Sequence, residues 1–327
     1  MGKWRPNLDS DQFGRRYTYL LRSWQNDRRS MAHWQTECKN CGATNLVRFG
    51  TDRKGKQRFR CKGCGYTFTD TGSPPGMRFP ADVIGFTLNE FYEGASLSKI
   101  QRGIQMTFQM RPDTSNIYRW IVRYSRQAVK AFSAVPIRAG DVWVADETVL
   151  KLKEGGNTWF FDCIDRDTRF LLASHLTPSR YTRDAQMLME RAEGRAGKSP
   201  KVVITDKLKS YLGAVEDVFG ADSKHVQSGP FKVQMSTRDI ERFHGTLKDR
   251  TKVLRSLANR ESARIVLDGW LVHYNFFRPH GGLDGRTPAE AAKASGVPFS
   301  NWLEVVRGEK AKEVNPRKLY KVRLIKP

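Results

Sequence analysis

Lys201-Val202-Val203-Ile204-Thr205-Asp206, followed after thirty-four residues by Glu241 within Arg238-Asp239-Ile240-Glu241-Arg242-Phe243-His244-Gly245-Thr246-Leu247-Lys248, is the stretch around which the chain is organised. The first six residues are an apolar run closed by an acid. They predict a buried strand with a carboxylate at its C-terminal end, where open α/β sheets place functional groups. The later segment has helical spacing, and Lys248, seven positions after Glu241, returns to nearly the same face. A third acid lies upstream in Asp141-Val142-Trp143-Val144-Ala145-Asp146-Glu147-Thr148-Val149-Leu150-Lys151, which alternates as a strand does and carries Asp146 near its middle. Three carboxylates from separate elements can hold two divalent cations roughly 3.5–4 Å apart, suited to in-line displacement at a phosphodiester. Carboxylate, water and phosphate oxygens are the ligands magnesium prefers.

The order of these acids, their spacing and the following lysine resemble the DDE transposases and retroviral-type integrases. The tail agrees: His273-Tyr274-Asn275-Phe276-Phe277-Arg278-Pro279-His280-Gly281-Gly282-Leu283-Asp284-Gly285-Arg286-Thr287-Pro288-Ala289-Glu290 resembles the words that close many bacterial and archaeal insertion-sequence transposases. The resemblance covers about residues 140–292. It implies an RNase H-like core in which Asp146, Asp206 and Glu241 bind two Mg2+ (or Mn2+) ions and Lys248 contacts DNA near the scissile phosphate. It also implies a DNA transposase that cleaves double-stranded DNA at its element's terminal inverted repeats and joins the ends to target DNA. Such a protein would work as a homodimer or higher oligomer in a synaptic complex, in a prokaryotic cytoplasm at the nucleoid. Two alternatives stand beside it: an RNase H-like nuclease without strand transfer, and a transposase-derived DNA-binding protein without catalysis. The presence of all three acids disfavours the second.

Composition points the same way. Fifty-seven Lys and Arg against thirty-four Asp and Glu give 327 residues a formal charge of +23, which favours a polyanionic partner. Eight Trp and eighteen Phe argue against a disordered polycation. No run approaches the roughly 20 apolar residues that span a bilayer, and Met1-Gly2-Lys3-Trp4-Arg5-Pro6 opens no signal-peptide stretch, so the expectation is a cytosolic protein with no membrane partner. In that reducing compartment cysteine pairs point to metal.

The fold class expected is multidomain α/β, made of a zinc ribbon, a helical helix-turn-helix-like domain and an RNase H-like catalytic core with a mixed sheet and flanking helices. Residues 1–36 read as a basic helical segment. Residues 37–72 hold Cys38-Lys39-Asn40-Cys41 and, nineteen residues on, Cys61-Lys62-Gly63-Cys64, the spacing of a ribbon whose four thiolates bind one structural Zn2+. Arg48, Arg53, Lys54, Lys56, Arg58 and Arg60 give that ribbon a basic face. Residues 79–135 read as three helices, the second from Ser96 and the third capped at Asp113, with Ile117, Trp120, Ile121 and Tyr124 inward and Arg119, Arg123 and Arg126 outward. Residues 136–295 form the core, with strands over 141–151, 159–164, 170–174 and 201–205, the first and last of them parallel neighbours through a right-handed crossover. Residues 296–327 are a basic tail. Among the remaining acids, Asp162, Asp165 and Asp167 read as turn residues, Glu147 alternates to the face opposite Asp146, and Asp239 faces away from Glu241. His244 reads as a packing or hydrogen-bonding residue outside the ligand set. Cys163 reads as a buried apolar residue.

Overall fold

Aromatic and basic residues share three short strands, Leu46–Thr51 (β1), Gln57–Cys61 (β2) and Thr67–Thr69 (β3), which form an antiparallel sheet in that order. The computed structural model describes residues 38, 40–41, 43–53, 55–69, 73–74, 77–152, 157–228, 238–253 and 259–308. The segment over 1–36 that the sequence reads as helical, Gly42, Lys54 and the tail beyond 308 lie outside them. The described chain forms two compact units, one ending at Arg78 and the other beginning at Phe79. The first unit has a core of Cys38, Cys61 and Phe68, with Ala43, Leu46 and Phe59 packed against it. So small an apolar core cannot by itself offset the chain entropy of an ordered ribbon.

In the second unit, three helices come first: Ala81–Tyr92 (α1), Leu97–Phe108 (α2) and Thr114–Phe132 (α3). Their starts follow local chemistry. The Ser96 hydroxyl accepts the Lys99 N–H, and the Asp113 carboxylate accepts the Ser115 N–H at 2.8 Å, as N-caps do. Ile117, Trp120, Ile121 and Tyr124 are buried on α3, while Arg119, Arg123 and Arg126 are exposed.

The sheet that follows has five strands: Val142–Lys151 (β4), Asn157–Asp165 (β5), Leu171–Thr177 (β6), Val202–Thr205 (β7) and Lys224–Gln227 (β8). Their order is β6-β5-β4-β7-β8, with β4, β5 and β6 antiparallel and β4, β7 and β8 parallel. The expected adjacency of the first and fourth core strands is present. Helices Thr182–Ala196 (α4) and Lys209–Phe219 (α5) make the crossovers, and α4 starts with an Asp184 side chain that accepts the Tyr181 N–H at 3.0 Å. Arg238–Val253 (α6) buries Ile240, Phe243, His244 and Leu247, a stripe at helical spacing, and packs on β4 and β5. Asp165 does serve the β5–β6 turn, accepting the Gly140 N–H and the Thr168 hydroxyl.

The tail words are structural in this fold. Arg260–Val272 (α7) runs into a π-helical turn, closed by Arg278 N–H to His273 C=O at 2.9 Å. That turn presents Asn275, whose amide accepts from the Leu171 N–H and donates to the Leu171 C=O, pairing the start of β6 as a strand would. Tyr274 packs among Phe243, Trp270 and His280, with ring centroids 4.6–5.3 Å away. Thr287 and Glu290 form the expected capping box at Pro288–Ala291 (α8). The first part of the basic tail is helix Trp302–Arg307 (α9). Its Trp302 indole stacks on Tyr92 at 5.0 Å and donates to His273, whose other nitrogen meets Glu93.

Helices α3 and α7 approach closely at Gly269, where a Cβ would overlap the Tyr92 hydroxyl and lie 2.7 Å from the Ser125 hydroxyl oxygen. Tyr92 and Ser125 are buried and hydrogen-bonded to each other, so neither can withdraw without losing a partner. Gly269→Ala is therefore expected to destabilise the second unit by about 2–3 kcal/mol, the usual penalty for overpacking, and to lower its melting temperature by several degrees. Thermal denaturation followed by circular dichroism checks this; an unchanged melting temperature would contradict the close approach.

Candidate active site and metal-binding cluster

Register brings the acids together. β4 pairs with β7 through Val144↔Ile204, and two residues further along that parallel register Asp146 comes beside Asp206. β4 pairs with β5 through Asp146↔Asp162. Asp146 thus stands between two acids on neighbouring strands. The Asp206 carboxylate accepts the Leu208 N–H at 2.9 Å, which turns the chain into α5 just after the strand ends.

Asp146, Glu147 and Asp206 each offer a carboxylate oxygen, and these oxygens all lie within 4.8 Å of one another. Glu147 is the unexpected member. Alternation places it across from Phe161 and next to Tyr211, on the opposite face from Asp146, yet β7 stops at Thr205 and leaves the β4 edge open there. Its side chain is 3% exposed, one oxygen pairs with Arg180, and the other has no hydrogen-bond partner. Arg180 in turn lies 4.0 Å over the Trp159 ring. Glu241 is exposed on α6 and outside this group of mutually close oxygens, although its charge reaches Asp146. Lys248 is exposed on the same helix, close enough to depress the pKa of His244.

Crowding sets the electrostatics. Burial, then the charges of Glu147, Asp206 and Glu241, push Asp146 up to about 7, against a backbone hydrogen bond that favours the carboxylate. Burial, then Asp206, raises Glu147, with Arg180 opposing. His244 sits over the row: its Nε2 is 3.1 Å from Asp162 Oδ2 and its Nδ1 3.5 Å from Asp146 Oδ2. Burial, then Lys248, lowers His244 to about 4, while burial and Asp146 raise Asp162 well above the usual carboxylate range. Acids crowded together in this way are ones whose repulsion a divalent cation would relieve.

The reading of Asp162 as a turn residue is corrected: it is fully buried in the middle of β5, facing the site. Glu147, expected on the face opposite Asp146, brings its carboxylate to the site all the same, while Arg180 and Tyr211 carry no expectation from the sequence. A turn centred near Glu154-Gly155-Gly156 would have paired Asp146 with Asp162 from sequence; nothing comparable marks Arg180. Cys163 is fully buried, as expected.

The four cysteines are close enough together to hold one metal ion. The four sulfurs lie within 4.8 Å of one another, with Cys38–Cys64 at 3.5 Å and Cys41–Cys61 at 3.6 Å. Tetrahedral zinc with bonds of about 2.3 Å needs sulfurs roughly 3.8 Å apart. Two knuckles build it. The Cys38 N–H donates to the Ala43 C=O and the Cys61 N–H to the Tyr66 C=O, and Gly65 takes φ +73°, a conformation that favours glycine. Hydrogen bonds from the Tyr66 N–H and the Asn40 amide lower the Cys64 thiol, which favours the thiolate that a metal takes.

The five-stranded mixed sheet, flanked by helices and carrying acids at adjoining strands, has the strand order expected of an RNase H-like core. Residues 140–280 match the family model described as a DDE domain. Among solved structures, the chain is similar to the HTLV-2 integrase catalytic core domain in complex with magnesium, with 16% identity over 49% of this chain and 99% of that one, at a TM-score of 0.37. It is also similar to the catalytic core domain of BIV integrase, with 18% identity over 47% and 95% at 0.35. The simian T-cell lymphotropic virus intasome in complex with PP2A regulatory subunit B56 gamma gives 15% identity over 65% and 75% at 0.38. At these scores the likenesses carry no argument about the site, which rests on its own residues. No curated protein matches the chain in sequence. Among the described residues no helix is long and apolar enough to cross a membrane.

Proposed function

We propose that the chain is a DNA transposase whose core, residues 136–295, cleaves phosphodiesters at the ends of its element and joins them to target DNA. The observation that carries this is the meeting of Asp146 on β4 with Asp206 at the end of the adjacent parallel strand β7, their carboxylate oxygens within 4.8 Å, inside a segment that matches a DDE domain. In this reading Asp146, Asp206 and Glu241 hold two Mg2+ or Mn2+ ions, which when bound supply charge stabilisation to the attacking and leaving oxygens. Asp146 and Asp206 are held by strand register. Glu241 rides on α6, and Lys248, two turns further on, contacts the phosphate beside the scissile bond. Buried Glu147 keeps a fourth carboxylate at the site, balanced by Arg180.

The ribbon, residues 37–72, holds one structural Zn2+ through Cys38, Cys41, Cys61 and Cys64. With residues 79–135 it grips the terminal inverted repeats. Arg58 and Arg60 lie over the ring of exposed Phe49, at 5.6 and 5.7 Å, an aromatic and cationic surface suited to a phosphate backbone and bases. Arg119, Arg123 and Arg126 on α3 present a second basic face. The active form is a homodimer or higher oligomer that pairs two ends in the cytoplasm, at the nucleoid.

The test is end cleavage on a labelled duplex carrying the inverted repeat that flanks the coding sequence, in magnesium. Wild type is expected to nick at the element boundary and leave a 3′-hydroxyl. Asp206→Asn should be slower by about a thousandfold, because several kcal/mol of charge stabilisation is lost. Nicking undiminished in Asp206→Asn would place the chemistry elsewhere.

A further inference from the structure

We infer that Asp162 and His244 are positioning residues for Asp146, forming a buried arm that holds one carboxylate oxygen of Asp146 and leaves the other turned toward the cation site. The inference rests on the metal-site reading above. Its geometry is continuous across three side chains: a hydrogen bond between Asp162 Oδ2 and His244 Nε2 at 3.1 Å, then a polar contact of His244 Nδ1 with Asp146 Oδ2 at 3.5 Å, longer than an ordinary hydrogen bond. Both arm residues are anchored. Asp162 is fully buried on β5 directly across from Asp146, and His244 is 5% exposed on α6, within the stripe that seats that helix on the sheet.

Packing alone does not account for this pair. A fully buried carboxyl group is destabilising unless its polar atoms are satisfied. Asp162 falls short, since its Oδ1 has no hydrogen-bond partner and His244 is the side chain that meets Oδ2. An apolar residue in its place would fill the same volume without that penalty. What Asp162 supplies is orientation: by engaging Nε2 it fixes the imidazole ring, so that Nδ1 faces Asp146. Outer groups of this kind set the direction of a ligating carboxylate, and their loss typically weakens metal binding about 10- to 100-fold. The spacing also explains why α6 carries both Glu241 and His244. Three residues apart, they lie on neighbouring parts of one helical surface, so the helix that seats the arm on the sheet also carries Glu241 beside it.

The experiment is a Mn2+ titration of the full-length protein, read by calorimetry and by the electron paramagnetic resonance of free Mn2+, with melting curves for every variant. His244→Phe keeps the ring volume and removes both nitrogens. It should weaken Mn2+ binding at least tenfold, and Asp162→Asn, which keeps the shape, should weaken it severalfold. The double variant should be no weaker than His244→Phe alone, because Asp162 acts only through the ring. His244→Asn, whose amide overlies Nδ1, should recover part of the loss; His244→Gln, whose amide overlies Nε2, should not. Folded single variants that bind Mn2+ as wild type does, multiplicative losses in the double variant, or better recovery by Gln than by Asn would each overturn the arm. Wild type that binds no Mn2+, or Asp206→Asn that binds it equally well, would instead overturn the metal-site reading, and the arm with it.

Discussion

Asp146→Asn raises the melting temperature of the metal-free protein while abolishing DNA cleavage. The Asp146 carboxyl is pushed up to about 7 in the folded chain, first by burial and then by Glu147, Asp206 and Glu241, against about 3.9 in an unfolded one. A raised acid favours the folded state only while it is protonated. Its burden is absent below pH ~4, grows as pH rises from there to about 7, and is fully present above. Roughly three pKa units correspond to at most ~4 kcal/mol, and coupling among the neighbouring acids reduces this to about 2 kcal/mol for one substitution. The variant should therefore melt about 4–8 °C higher at pH 8 and nearly with wild type at pH 4. Added Mn2+ should stabilise wild type and leave the variant unmoved. Because protons compete for the same carboxylate, Mn2+ affinity of wild type should also fall as pH drops below about 7. Melting curves across that range with and without metal check all three statements; a variant less stable than wild type at pH 8 would show that Asp146 is not held under repulsion.

Removing the ribbon's metal is expected to unfold the first unit and leave the second intact. The ribbon's core is three buried residues, two of them cysteines, so a metal bound by the four thiolates is expected to hold the knuckles together. The second unit has its own sheet and helical layer. A strong chelator, or Cys61→Ala, should thus erase the ribbon's structure, keep the main melting transition, and weaken binding to the inverted repeat at least tenfold at fixed salt. Metal analysis should find one zinc per chain before treatment. Retained end affinity after complete zinc removal would separate the cysteine cluster from DNA binding.

How much of this was legible in the sequence follows the range of the interactions. Cys38, Cys41, Cys61 and Cys64 declare a metal cluster because ligand spacing is local, and Ser96, Asp113 and Thr287 declare helix starts because caps act within three residues. Asp146 and Asp206 were readable as strand acids from the runs that carry them. β8 was not: Lys224-His225-Val226-Gln227 shows too little apolar pattern, and only pairing with β7 makes it a strand. Asp162 was missed because a mid-strand acid acquires meaning from the strand beside it. Glu147 was set aside by alternation, a rule about the direction of Cβ that does not bound where a long side chain ends on an open edge. The Asn275 contact with Leu171 spans a hundred residues and needs the folded sheet to be seen.

Strand transfer tests the central claim most directly. Purified protein, magnesium or manganese, a duplex bearing the terminal repeat with its 3′-end already exposed, and a supercoiled target plasmid should yield covalently joined product with wild type and none with Asp206→Asn. Joined product lost in the variant is what a DDE transposase predicts. Wild type that nicks the duplex but never joins it to the plasmid, under either metal, would contradict transposition and leave a nuclease built on the same sheet.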